Sequence, residues 1–298
     1  MKPKKEYGQN FLRDKETIET LVSVSNPQKT DNYLEIGPGE GVVTQILAEQ
    51  VGKVIAVELD SDLLPNLKEL SDAFNNITVV HGDIIRLLRD HELIHDSKIN
   101  KIIGSLPYQI TSPLLHSLAN LSITSSIQSV TILLQKEVAQ KITAVAPDAS
   151  YLSNFVQTYF DAKFIGNVSR ERFYPIPKVD GAIVCLIPRK SEPNSVILVS
   201  KAHPGSTSVK TTADRSDSGQ ARMTDDIERW STFLHYAFKF PRKMLRKVFD
   251  EKILEGAGIG PTQRPQEINL ETWKKLYNLD LCQHRHSGLD PESRPKEI

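Results

Sequence analysis

Cysteine is nearly missing from this chain of 298 residues. Cys185 and Cys282 stand far apart and no Cys-x-x-Cys pair occurs, which argues against a disulfide framework or a cysteine-based zinc site and leaves two idle or buried thiols. Net charge is missing too. The 37 basic and 37 acidic side chains cancel, so no global field marks a nucleic-acid partner and any such signal must be local. No segment approaches the roughly 18 consecutive apolar residues of a membrane span, and Met1-Lys2-Pro3-Lys4-Lys5-Glu6-Tyr7 has no apolar stretch behind its charges. A cytoplasmic location without membrane contact is expected. Neither a Gly-x-Ser-x-Gly elbow nor a Gly-x-x-x-x-Gly-Lys loop occurs, so serine-hydrolase and P-loop readings lack their basic parts. What remains is ordinary: 39% hydrophobic residues in a length that suits one large domain plus a smaller one.

From 32 to 134, short apolar runs alternate with helical patterns. The runs are Tyr33-Leu34-Glu35-Ile36, Val54-Ile55-Ala56-Val57, Ile77-Thr78-Val79-Val80, Lys101-Ile102-Ile103-Gly104 and Val130-Thr131-Ile132-Leu133-Leu134. Such alternation predicts a parallel sheet with helices on both faces, the doubly wound α/β class. Runs at 162–168 and 182–187 would add antiparallel strands at one edge. Residues 191–226 turn to Ser, Thr, Pro, Gly and mixed charge, which buries too little apolar area to offset its ordering entropy. They read as a flexible insertion with one apolar island, Val196-Ile197-Leu198-Val199, a candidate short edge strand. Trp230, Phe233, Leu234, Ala237 and Phe238 then share one helical face. The organisation expected is a catalytic domain over 1–190, the insertion over 191–226, a small all-α domain over 227–281 and a disordered tail over 282–298.

Behind the first strand stands Glu35-Ile36-Gly37-Pro38-Gly39-Glu40-Gly41, a turn whose glycines would let a ligand lie against bare backbone, with helix amides facing it. Glu58 closes the second strand, 21 residues beyond Gly37, where an acid can accept ribose hydroxyls. The third glycine comes one position too early for a dinucleotide fingerprint, which tilts the reading away from nicotinamide. Asp83, after the third strand, would accept from an adenine amino group, so that Glu58 and Asp83 hold an adenosine at both ends. Taken singly, each is a solvated loop acid; their joint spacing carries the functional reading.

Ser105-Leu106-Pro107-Tyr108 follows the fourth strand. Adenine N6 is a poor nucleophile because its lone pair is delocalised, so a catalyst must hold it with acceptors and align it with an electrophilic methyl. Ser105 and the Leu106 carbonyl would be those acceptors, Pro107 would fix the turn, and Tyr108 would offer a ring for an extruded base. His91-Glu92-Leu93-Ile94-His95 mimics a zinc-protease string, but short strings match by accident and no third ligand is near. No metal is expected.

Five segments together resemble the KsgA-type small-subunit rRNA adenine dimethyltransferases: Gly8-Gln9-Asn10-Phe11-Leu12, the glycine turn, Leu106-Pro107-Tyr108, Leu134-Gln135-Lys136-Glu137-Val138, and Phe173-Tyr174-Pro175-Ile176-Pro177-Lys178-Val179-Asp180. The resemblance runs from about Gly8 to about Tyr277. It implies a Rossmann-like S-adenosylmethionine-dependent methyltransferase domain followed by a small all-α C-terminal domain. It also implies N6-dimethylation of two adjacent adenosines near the 3′ end of 16S rRNA in the immature small ribosomal subunit. Carried over, Asn10 and Leu12 would flank the methionine end of the cofactor, with Gly37 beneath it. Glu58 would take the ribose and Asp83 the adenine; Gly39, Leu59, Ile84 and Ser105 complete the expected cofactor site. Tyr108 and Phe173 would sandwich the target base.

One departure stands out. The family pattern is Asn-Leu-Pro-Tyr, and Ser105 replaces the asparagine, giving a shorter acceptor without the carbonyl dipole. Slower transfer is expected, and the alternative is an RNA-binding assembly factor with little or no transfer. A small-molecule methyltransferase is a third, disfavoured reading. The segment Lys239-Phe240-Pro241-Arg242-Lys243-Met244-Leu245-Arg246-Lys247 holds five cations and no acid. It is expected as a packed helix that presents Arg242, Lys243, Arg246 and Lys247 to RNA phosphates and turns Leu245 and Val248 inward. Lys2, Lys4, Lys5, Arg170 and Arg172 would extend that surface, and the protein is expected to be a monomer.

Overall fold

The computed structural model describes residues 3–4, 7–89, 93–94, 97–106, 110–189 and 217–287, with backbone alone at 217–224 and 282–287. Two compact units emerge: residues up to 143 together with 159–189, and residues 144–158 together with the chain beyond 189.

In the first unit, β1 (Phe11–Leu12) and α1 (Lys15–Val24) lead into β2 (Asn32–Ile36), α2 (Val42–Ala48), β3 (Lys53–Glu58), α3 (Leu64–Ala73), β4 (Ile77–His81), α4 (Ile84–Arg89) and β5 (Lys101–Ser105). Then come α5 (Thr111–Thr124), β6 (Ser129–Gln135) and α6 (Lys136–Thr143). After an excursion into the second unit through α7 (Tyr151–Tyr159), β7 (Phe160–Val168), β8 (Phe173–Tyr174) and β9 (Gly181–Pro188) complete it. The seven-stranded sheet has the order β4-β3-β2-β5-β6-β9-β7, parallel as far as β6 and antiparallel at β9 and β7. Beyond their first residues β2 and β3 are buried along their whole length, as strands covered by helices on both faces must be.

The strand order reverses between β2 and β5, and a crevice opens there at the carboxyl ends of the strands. Ile36 pairs with Gly104 at that point, and a Cβ on Gly104 would lie 2.7 Å from the Ile36 carbonyl, so the close approach of the two strands demands glycine. At the opposite end of the sheet Lys101 Nζ pairs with Asp31 Oδ2 at 2.8 Å, both nearly buried. The same ammonium donates to the carbonyls of Ser25 and Asn26, tying the exit of α1 to β5.

The second unit packs α7 with α8 (Asp217–Phe238), α9 (Glu251–Ala257) and α10 (Leu270–Ser287). Its core is aromatic. Trp230 lies 5.7 Å from Phe233 and 5.1 Å from Tyr277 between ring centroids, and its indole N–H donates to Thr158 Oγ1 at 3.0 Å. Tyr151 stacks on His235 at 3.7 Å and shares a hydrogen bond with Ser231.

Three boundaries differ from expectation. Residues 144–158, counted with the catalytic domain, belong to the helical unit, because the aromatic face of α7 finds its partners there. Residues 217–226 of the supposed insertion are helical, and α10 runs on to Ser287 into the supposed tail. Both are extensions of helices already anchored by buried side chains, where each further turn needs no new nucleation. The basic segment is not one helix: α8 stops at Phe238, a turn follows, and a single 3₁₀ turn covers Leu245–Lys247. Pro241 lacks an amide and disfavours helical dihedrals at Phe240, which breaks the run. Leu245 is buried as expected, while Val248 is only partly so. The Val196–Val199 island lies outside the described residues. Among the described residues no helix is long and apolar enough to cross a membrane.

Candidate active site

The crevice at the β2/β5 switch is a cavity of about 200 Å³. The 7–12 segment, the glycine turn, the ends of β3, β4 and β5, and Phe173 line it, and all of these belong to the first unit.

The glycine turn owes its shape to backbone that side chains resist. Gly37, Gly39 and Gly41 have φ of 65°, 60° and 82°, in the left-handed region. A Cβ on Gly39 would stand 3.1 Å from the Phe11 ring, so this glycine also makes room for β1. The glycine amides do not face the cavity. Gly37 N donates to the Val57 carbonyl, Gly39 N to Glu58 Oε2 and Gly41 N to the Pro38 carbonyl. With these three amides spent internally, the glycines themselves offer no donor to a ligand's phosphate.

Glu58 ends β3, and its carboxylate is fixed by amides of Gly39 at 3.1 Å and of Leu59 and Asp60 at 2.9 Å each. Burial pushes its pKa up, against the pull of those amides. Two of the three amides use Oε1, which leaves Oε2 the freer oxygen. Asp83 follows β4; its Oδ1 accepts from Ile85 N at 2.9 Å and it lines the cavity beside buried Ile84. Asn10, Leu12 and exposed Leu59 line it as well, Asn10 being held by its own Nδ2 donating to the Gly8 carbonyl.

Ser105 and Leu106 reach the same cavity from the end of β5, and Ser105 Oγ has no hydrogen-bond partner among the described residues. Phe173 is buried on β8, where it pairs with Leu12 of β1. The structure thus brings the expected residues from Asn10 to Phe173 around one cavity, while Pro107 and Tyr108 lie outside the described residues. So do His91, Glu92 and His95, and among the described residues no cluster of potential metal ligands exists.

Two features escaped the sequence. Glu35, inside β2 and fully buried, accepts from Thr44 Oγ1 at 2.6 Å and so holds the start of α2 beneath the turn. Burial raises its pKa to about 7, and neighbouring Glu58 adds to the rise. Its only sequence signal is a carboxylate placed in an apolar strand. The second is a strap. Lys4 Nζ contacts Asp60 at 2.6 Å and Asp62 at 2.7 Å, and Gln9 Nε2 donates to Asp60 at 2.7 Å, which pins the N-terminal wall of the cavity. These two carboxylates raise the Lys4 pKa. Lys4 is therefore committed to structure rather than to RNA, as is Arg172, paired with Asp14 at 2.6 Å. Lys2 and Lys5 lie outside the described residues.

The lining contains Glu35, Glu40, Glu58 and Asp83 but no Lys, Arg or His among the described residues. An acids-only cavity suits a cationic ligand and repels phosphate. S-adenosylmethionine, a sulfonium with a ribose and an adenine, fits this donor set; a dinucleotide does not.

A family described as Ribosomal RNA adenine dimethylase matches residues 1–200. The chain belongs to that family. It is similar to Ribosomal RNA small subunit methyltransferase A of Clostridium botulinum, at 33% identity over 274 residues, 91% of this chain and 92% of the relative. The protein of the same name from Sulfurihydrogenibium sp. is 30% identical over 283 residues, 94% of this chain and 96% of the relative. In fold it resembles a dimethyladenosine transferase from Plasmodium falciparum, with a TM-score of 0.70 at 22% identity, covering 94% of this chain and 98% of that one. Membership makes this chain an S-adenosylmethionine-dependent rRNA adenine dimethyltransferase with a Rossmann-like fold.

Proposed function

We propose that the protein dimethylates N6 of two adjacent adenosines near the 3′ end of 16S rRNA during small-subunit assembly. The observation that carries this reading is a cavity in which a cofactor lining whose charged groups are all acids meets Ser105, Leu106 and Phe173. When bound, S-adenosylmethionine supplies an electrophilic methyl. Glu58 Oε2 would take a ribose hydroxyl and Asp83 the adenine amino group, with Leu59 and Ile84 beside the ring, Asn10 and Leu12 at the methionine end and Gly37 and Gly39 beneath. Ser105 Oγ and the Leu106 carbonyl would accept the N6 hydrogens of a base held between Tyr108 and Phe173, favouring a tetrahedral nitrogen. Pro107 would fix the turn. Arg242, Lys243, Arg246 and Lys247, all exposed, would contact phosphates and fix the position of the RNA without reading its sequence.

The test is transfer of radiolabelled methyl to undermethylated small subunits, alongside calorimetry with S-adenosylmethionine. Label in adenine N6 is expected. Ser105 favours a second reading, an assembly factor with feeble transfer, and tight subunit binding without label would select it. Absence of cofactor binding by folded protein would remove the catalytic reading.

A further inference from the structure

The turn that breaks the basic segment leaves an aromatic ring standing among cations. Phe240 is 41% exposed, although a phenylalanine ring gains from burial and α8 offers a buried face immediately before it. Lys243 Nζ lies 4.2 Å from the ring centroid and Lys239 Nζ 5.6 Å from it. The Lys243 amide donates to the Phe240 carbonyl at 2.9 Å, so the turn backbone fixes the ring's attachment point. Arg242, Arg246 and Lys247 follow within one further turn, and none of the five cations is paired with a carboxylate among the described residues.

Phosphate contacts alone would need only the charges. A solvent-facing ring flanked by ammonium groups is instead the pairing that single-stranded RNA uses, in which a base stacks on the ring while its backbone meets the cations. A fully paired helix has no free base face to give. We propose that Phe240 is a base-stacking site for an unpaired nucleotide, so that this segment recognises a loop or bulge of the RNA rather than duplex phosphates alone. The proposal deepens the RNA contact proposed above and rests on it.

The experiment compares binding of the full chain to a hairpin RNA with an unpaired loop and to a blunt duplex carrying the same number of phosphates, over a range of salt. The wild type is expected to prefer the hairpin. Phe240→Ala should weaken hairpin binding roughly fivefold to a hundredfold, the range for losing one stacked base, and leave duplex binding unchanged. Its slope of log affinity against log salt should stay at the wild-type value, because no phosphate contact is lost. Phe240→Trp should restore the preference, whereas Lys243→Gln should lower the slope on both RNAs. Equal binding of hairpin and duplex by the wild type, or a Phe240→Ala variant that keeps the preference, would overturn the stacking site and leave the phosphate contacts standing. If neither RNA binds, both fall, while the cofactor calorimetry and methyl-transfer assay still judge the catalytic reading separately.

Discussion

At the scale of single residues, Ser105 and Glu35 set different limits on the site. Ser105 Oγ has no hydrogen-bond partner among the described residues, and it is a shorter acceptor than an asparagine amide and lacks its dipole. Ser105→Asn is therefore expected to raise kcat on the order of a hundredfold, by analogy with one preorganised group at a reacting centre. Unchanged turnover would remove the role given to this position. Glu35 makes a prediction about pH. Its folded pKa of about 7 exceeds its ordinary 4.5, so the folded state holds the proton more tightly and the associated stability is present at low pH and lost as pH rises through that interval. The shift corresponds to about 3 kcal/mol. Urea unfolding at pH 5 and pH 8 should show wild-type stability falling toward pH 8, and Glu35→Gln, which keeps an acceptor for Thr44, should flatten that fall. Equal pH dependence in both proteins would contradict the assignment. The places of Glu58 and Asp83 were legible in sequence because strand ends and fixed spacing expose them, whereas Phe173 was named only through the family resemblance. Glu35 was not, because a strand pattern does not say which carboxylate is capped from below.

Among the elements, the junction of α1, β2 and β5 is held by the Asp31–Lys101 pair, with Asn100 Nδ2 and Gln28 N also donating to Asp31. Burial opposes ionisation of Asp31, but Lys101 and these donors hold its pKa below the usual range. Asp31→Ala would strand a buried ammonium and should cost about 3–5 kcal/mol by urea unfolding, and adding Lys101→Met should recover most of it. A single-variant cost below about 1 kcal/mol would show that water already reaches the pair. The five parallel strands were readable as apolar runs; four of them are covered on both faces and carry that signature unaltered, while the edge strand β4 is largely uncovered. The basic segment was misread for a local reason. Its periodicity is helical, but one proline outweighs periodicity, because a lost amide and a steric clash act on the backbone itself.

For the whole molecule, two cores mean two separable failures. Trp230 is fully buried and its indole N–H is satisfied by Thr158, so Trp230→Ala should cost about 3–5 kcal/mol and loosen the helical unit. Hydrogen exchange should quicken in α8 and α10 and RNA binding should drop, while calorimetry with S-adenosylmethionine should return nearly wild-type affinity. Parallel loss of cofactor binding would show one cooperative molecule instead. The domain boundary was the least legible property, because the chain leaves the first unit at 143 and re-enters it at 159 without any change of composition.

That detour has a consequence for the newborn chain. Tyr151 leaves the ribosome 80 residues ahead of Ser231, its hydrogen-bond partner. At about 5–20 residues per second, an aromatic surface waits roughly 4–16 seconds for the polypeptide that will cover it.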